Sequence, residues 1–84
     1  MATALRINEA ISRLHLKTGK RLQFTDIAKI ISGPDNYQYN YQKIAGYASG
    51  RVRFFDMQYV EMLADILECT PAYLLGLEDA NENL

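Results

Sequence analysis

The sequence has little of the chemistry that enzymes and metal sites use. Its 84 residues contain one cysteine, Cys69, one histidine, His15, and no tryptophan. A single cysteine cannot form an internal disulfide. This favours a location in a reducing compartment. His15 has no second histidine or cysteine at a metal-ligand spacing, so it is interpreted as a surface or core-rim residue. Because the chain also lacks a phosphate loop and a clustered carboxylate pair, we expect no enzyme activity, no cofactor and no metal.

Long apolar segments are also missing. The chain has no run of about 18 apolar residues, the length that spans a bilayer. Its first ten residues lack the apolar core of a signal peptide. We therefore expect a cytoplasmic protein without membrane contact. The length and the 49% apolar content fit one globular domain, assigned to residues 1–77, followed by an acidic tail, 78–84, that we expect to fray.

No basic residue follows Arg53. All nine lysines and arginines lie in residues 1–53 against three acids, which gives that part a net charge of +6. Residues 54–84 carry seven acids and no base, a net charge of −7. Because a polyanion responds to the local field and not to the total of −1, the first part remains suited to nucleic acid. The simpler alternative is that the split only maintains solubility.

The middle of the chain is predicted to form two short helices joined by a turn, an arrangement typical of a DNA-binding helix-turn-helix. The first helix begins between Gln23 and Thr25, which compete as N-caps, and ends at Gly33. Lys20 and Arg21 precede it. They would flank the unpaired N–H groups of its first turn, a place that suits a phosphate.

The second helix is predicted to begin at Asn40 as N-cap, with Tyr39 stapled onto Ile44, and to end at Gly50. The segment before it, Gly33 to Tyr39, is long for such a turn. It is interpreted as an insert that either bulges from the turn or supplies an additional contact.

Tyrosines alternate with polar residues through this insert and into the second helix. That period of two also fits a short β-arm, which is the competing interpretation. Tyr39 and Tyr47 are expected to pack against the core. Tyr37 and Tyr41 are expected to be exposed, where a phenolic hydroxyl can donate to a phosphate oxygen.

Three further amphipathic helices would complete an all-α domain. Helix 1 is predicted over residues 4–17 and helix 4 over 56–68, with Asp56 as N-cap. Helix 5 begins with Thr70 as N-cap and Pro71 at its first position. The apolar stripes of helices 1 and 4 are Ile7, Ala10, Ile11 and Leu14, and Val60, Leu63, Ala64 and Leu67. A basic ridge borders the first stripe: Arg6, Arg13 and Lys17.

The order of these elements resembles the lambda-repressor-like helix-turn-helix family, the XRE-type domain of phage Cro and CI repressors and of many small bacterial regulators. The resemblance covers about residues 5–77 and is most specific over 50–77. There a Gly and basic residues are followed by an amphipathic helix and a Thr-capped helix ending in Leu-Leu-Gly. Ala28 and Ile44 match apolar anchors of helices 2 and 3, at a separation longer than the family usual. The resemblance implies a compact five-helix domain with an extended turn inside the helix-turn-helix.

The resemblance also implies that the start of helix 3 faces base edges in the major groove. Tyr41, Gln42 and Lys43 occupy that start by position. A Gln amide pairs bidentately with adenine, and a Lys reaches guanine or phosphate. Gly46 falls where relatives place a longer contact side chain. The phosphate-binding candidates are Lys20, Arg21, Tyr37, Arg51 and Arg53.

The function implied is a sequence-specific, double-stranded DNA-binding regulator of transcription. It would be a small Cro-like repressor that acts as a homodimer on a palindromic operator and is nucleoid-associated through that binding. Helix 5 with Leu77, or Tyr37 with Tyr39, would form the dimer contact. The alternative is an antitoxin or another protein-interaction module of the same fold, whose acidic C-terminal half binds a basic protein partner.

Overall fold

The computed structural model describes residues 4–77, and this part of the chain forms five α-helices and no strand. The helices are α1 (Ile7–Thr18), α2 (Phe24–Ser32), α3 (Gln38–Ser49), α4 (Met57–Ile66) and α5 (Pro71–Leu74). The predicted all-α, five-helix architecture is confirmed, and the alternative β-arm does not form. None of the described helices is long and apolar enough to cross a membrane. The predicted acidic tail lies outside the described residues.

One core joins the inner sides of all five helices. The apolar stripes predicted for helices 1 and 4 are buried in full. Helix α1 begins three residues later than predicted, because the chain before it is bonded elsewhere. The Leu5 N–H donates to the Tyr47 carbonyl at 3.0 Å, and the Arg6 N–H donates to the Leu74 carbonyl at 2.9 Å. These two bonds tie the segment before α1 to α3 and α5.

The N-termini of α4 and α5 are capped as predicted. The Asp56 carboxylate accepts from the Gln58 N–H at 3.0 Å, and the Thr70 hydroxyl oxygen accepts from the Tyr73 N–H at 3.1 Å. Pro71 occupies the first helical position of α5, where its missing N–H costs no hydrogen bond. Each cap satisfies a backbone donor that the helix itself cannot pair.

Helix α3 begins at Gln38, earlier than predicted. The assignment of Asn40 as its N-cap is wrong, since Asn40 is the third helical residue and is buried. Its side-chain oxygen accepts a hydrogen bond of 2.8 Å from the Tyr59 hydroxyl of α4. The predicted staple of Tyr39 onto Ile44 is also wrong, because Tyr39 is 71% exposed.

The turn between α2 and α3 is therefore shorter than the predicted insert. It comprises residues 33–37, and the rest of the insert forms the start of α3. Gly33 leaves α2 with a φ of +88°, a conformation that L side chains rarely adopt. The Ser32 hydroxyl donates to the Asn36 carbonyl at 2.9 Å and closes the turn. The additional residues thus lengthen the second helix of the pair as well as the turn.

Candidate nucleic-acid interface

Helix α3 presents one polar stripe to solvent. At about 100° per residue, four of its positions point within about 60° of one another. They are the exposed polar residues Gln38, Gln42 and Ser49, together with the partly exposed Ala45. The opposite side is buried, with Ile44 and Tyr47 in the core and Asn40 bonded to α4. The core therefore determines how α3 is rotated about its axis, and so which side chains face outward.

The stripe contains two exposed glutamines, one turn apart. Gln42, predicted to read bases, is exposed on the second turn of α3. Gln38, which was not among the residues predicted to read bases, is exposed on the first turn and points in a similar direction. The i, i+4 spacing of the two glutamines could have revealed it, but a helix start at Asn40 excluded it. Each amide offers two donors and one acceptor.

The other two residues predicted to read bases lie beside this stripe. Tyr41 is exposed at its edge, and its ring centroid is 6.4 Å from that of Phe24 on α2. Lys43 is half-buried and turned toward α4. Its Nζ lies 4.2 Å from the ring centroid of Tyr59 and 5.7 Å from that of Tyr39. The aromatic rings attract this ammonium through their negative faces and orient it away from the stripe.

The Gly46 position is covered by the loop that follows α3. The Val52 N–H donates to the Gly46 carbonyl at 3.2 Å. A Cβ built on Gly46 would lie 2.9 Å from a Val52 methyl carbon and 3.2 Å from an Arg51 guanidinium nitrogen. The longer side chain that the resemblance places here does not fit unless the loop moves.

Arg51 and Arg53 are exposed on this α3–α4 loop, which is held at both ends. At one end the Arg51 N–H donates to the Ser49 hydroxyl oxygen at 3.3 Å. At the other end the Asp56 N–H donates to the hydroxyl oxygen of the buried Tyr47 at 3.1 Å. Both arginines are thus exposed on an anchored backbone, and the Arg51 guanidinium lies beside Gly46 of α3.

Lys20 and Arg21 are exposed in the connection between α1 and α2. Gln23, and not Thr25, is the N-cap of α2, and its N–H donates to the Asp26 carboxylate at 2.8 Å. This carboxylate occupies the positive end of the helix dipole. A phosphate at the same end would meet a negative charge, so the two cations are the anion-binding groups that remain there.

Tyr37 was predicted to be exposed, and this is wrong. Its ring is half-buried against the core, and the Lys29 Nζ lies 4.9 Å from the ring centroid. Tyr39 takes the exposed position instead, because α3 begins at Gln38 and turns Tyr39 outward. The candidate site therefore has an exposed tyrosine different from the one proposed as a phosphate ligand.

The basic ridge of α1 contacts other parts of the molecule. The Arg6 and Arg13 guanidinium carbons lie 5.5 and 4.8 Å from the Tyr73 ring centroid, and Lys17 pairs with Glu68 at 3.3 Å. That salt bridge is the only ion pair whose partners both lie within residues 4–77. The lysines and arginines proposed as DNA contacts thus have no counter-ion within this range.

Comparison with known proteins finds no matching family model, no matching curated protein and no matching solved structure.

Proposed function

We propose that this protein is a sequence-specific, double-stranded DNA-binding regulator of transcription, a small Cro-like repressor that acts as a homodimer. The observation that carries the proposal is the exposed pair Gln38 and Gln42 on a helix whose other side is fixed in the core. An α-helix fits the major groove of B-DNA, and side chains on its outward side read base edges there.

The spacing of the glutamines suits base pairs about two steps apart. Four residues of helix rise about 6 Å, which compares with about 3.4 Å between successive base pairs along one strand. Gln38 and Gln42 would therefore contact bases about two steps apart. A glutamine amide pairs bidentately with N6 and N7 of adenine, so A·T pairs are the expected targets.

The exposed cations supply the sequence-independent part of the affinity. Arg51 and Arg53 would bind phosphates beside α3, and Lys20 and Arg21 would bind them near α2. Because these cations have no counter-ion within residues 4–77, binding DNA breaks none of the ion pairs in that part of the chain. Each phosphate neutralised releases counter-ions, so affinity falls steeply with salt.

A homodimer would place two copies of α3 on half-sites about 34–36 Å apart, one turn of DNA. Helix α5 offers little apolar surface for this contact, since Tyr73 and Leu74 are buried. Leu77, 76% exposed, and Tyr39, 71% exposed, are the candidate dimer contacts. Binding to chromosomal DNA would place the protein at the nucleoid in the cytoplasm.

Selection of binding sites from a random pool of DNA duplexes tests this proposal. The full chain should enrich a palindromic consensus that contains A·T pairs at the positions read by α3. Sedimentation of the protein on the selected duplex should give two chains per site. Failure to enrich any sequence, together with no salt-dependent affinity for duplex DNA, would overturn the proposal.

One observation favours a second function, that of an antitoxin or other protein-interaction module. Glu61 and Asp65 are exposed at i and i+4 on one side of α4, and Glu68 is exposed just after the helix ends. This acidic row would bind a basic protein partner, while Lys17 already pairs with one of its members. Copurification of a basic protein in stoichiometric amount, lost in the double variant Glu61→Lys and Asp65→Lys, would support this function.

A further inference from the structure

The α3–α4 loop carries an apolar side chain that the site described above does not use. Phe54 follows Arg53 and is 93% exposed, more than any other large apolar side chain within residues 4–77. Nearly the whole ring is in water, an unfavourable state that contact with a partner would relieve.

The loop is anchored on both sides of Phe54. Before it, Val52 is bonded to α3 through its N–H and packs over Gly46. After it, the Phe55 ring packs edge-on against Tyr47, with 4.9 Å between centroids. Val52 and Phe55 are therefore directed inward, whereas Arg53 and Phe54 between them are exposed. A side chain presented from a fixed backbone loses little conformational freedom when it binds.

The surroundings of Phe54 favour a polyanion over a second copy of the chain. Arg51 and Arg53 precede it and have no ion-pair partner within residues 4–77. A two-fold contact through this loop would bring like charges together. The apolar area is also small, because an aromatic side chain offers about 150–250 Å² and a stable protein interface needs about 800 Å² from each partner.

DNA offers both surfaces that this loop requires. Its phosphates attract the two guanidiniums, and its base steps present an apolar face to an inserted ring. Proteins that enter the minor groove use phenylalanine in this way, and the inserted side chain unstacks one step and kinks the duplex. In the proposed complex, with α3 in the major groove, the loop that follows α3 would cross the sugar-phosphate backbone and bring Phe54 to the adjoining minor groove.

We propose that Phe54 is a wedge that enters the minor groove of bound DNA and unstacks one base step, with Arg51 and Arg53 on the flanking phosphates. This inference rests on the proposed DNA-binding function and adds deformation of the operator to it. The operator would then contain a flexible pyrimidine–purine step outside the bases contacted by α3, since such steps unstack most easily.

The experiment uses the full chain and an operator selected from the random pool, with 2-aminopurine placed at successive steps. The wild-type protein should raise the fluorescence at one step in each half-site and bend the duplex in a circular-permutation gel assay. Phe54→Ala should abolish both signals and weaken binding at least about fivefold, the lower range for loss of a stacked aromatic ring. It should still select the same α3-contacted bases. Leu16→Ala, which removes another highly exposed apolar side chain on α1, is the matched control and should change none of these.

Two results would overturn the inference while leaving the proposed function standing. The first is that Phe54→Ala binds and bends the operator as the wild type does. The second is that Phe54→Ala converts a dimer to a monomer without DNA, which would assign the ring to a protein interface. Absence of any sequence-specific binding by the wild type would instead overturn the proposed function itself, and the wedge with it.

Discussion

The Tyr59 hydroxyl on α4 donates a hydrogen bond of 2.8 Å to the side-chain oxygen of Asn40 on α3, and both residues are buried. The bond holds the inner side of α3 to α4, and it therefore helps to set the direction of the outward stripe. A buried hydrogen bond contributes modestly when made, but a buried polar group left without a partner is costly.

Asn40→Ala should therefore destabilise the fold by about 1–3 kcal/mol, because it leaves the Tyr59 hydroxyl buried without its acceptor. Urea denaturation of the variant and the wild type measures the difference. Gln42→Ala, an exposed change on the same helix, should stay within about 0.5 kcal/mol of the wild type. Equal free energies of unfolding for Asn40→Ala and Gln42→Ala would show that the Tyr59–Asn40 hydrogen bond does not stabilise the fold.

Alkaline pH should lower the free energy of unfolding because Tyr59 ionises less readily in the folded state. Burial raises the pKa of Tyr59 to about 12, with further contributions from nearby Tyr47 and Tyr39, whereas an unfolded tyrosine titrates near about 10. Between these values the folded state keeps a proton that the unfolded state has released. Stability should then be unaffected by Tyr59 below pH 10 and fall as pH rises toward 12. Denaturation at several pH values should show a smaller fall for Tyr59→Phe than for the exposed control Tyr39→Phe, and an equal fall would contradict this origin.

Close contact between α3 and its following loop makes Gly46 difficult to replace. Overpacking of Gly46→Ala against Val52 should cost about 1–3 kcal/mol, and the gain in helix propensity offsets about 1 kcal/mol of it. We expect a net destabilisation of up to about 2 kcal/mol. Adding Val52→Ala should recover part of this loss, since it removes the methyl group that the new Cβ meets. Thermal unfolding of the two single variants and the double variant measures the coupling. A Gly46→Ala protein more stable than the wild type would contradict the observed packing.

Arg53→Ala should weaken binding to every DNA sequence alike, because a phosphate contact carries no sequence information. The slope of log affinity against log salt should fall by about one. Fluorescence anisotropy at several salt concentrations, on the operator and on a scrambled duplex, gives both quantities. Lys17→Ala is the matched control, since Lys17 is already paired with Glu68. A change in base preference for Arg53→Ala would assign Arg53 to base reading instead.

The features predicted correctly from the sequence are those with a local cause. Asp56 and Thr70 cap helices whose N–H groups lie two or three residues away, so short sequence patterns determine both helix starts. The start of α3 has no such cause. Asparagine is a residue type that favours the N-cap position. The hydrogen-bond partner of Asn40, however, is Tyr59 on another helix, and only the assembled core brings the two residues together.

The residues of the candidate site also fall into two groups, those placed by the local sequence and those placed by contacts between helices. The exposure of Gln42 and Arg53 follows from helix periodicity and from the loop that ends α3. Gln38 was missed because the error in the helix start left it in the turn. Lys43 was placed with the base-reading residues, yet its ammonium lies over the ring of Tyr59. That arrangement depends on a contact between helices, which the local sequence does not contain.

The most direct test of the central claim compares Gln42→Ala with the wild type on the selected operator and on a scrambled duplex. If α3 reads bases, the variant should lose about 1–3 kcal/mol on the operator and relax selection at one base position. Its affinity for the scrambled duplex should stay unchanged. If instead the variant binds the operator as tightly as the wild type and keeps the full consensus, the stripe of α3 does not read DNA and the account is wrong.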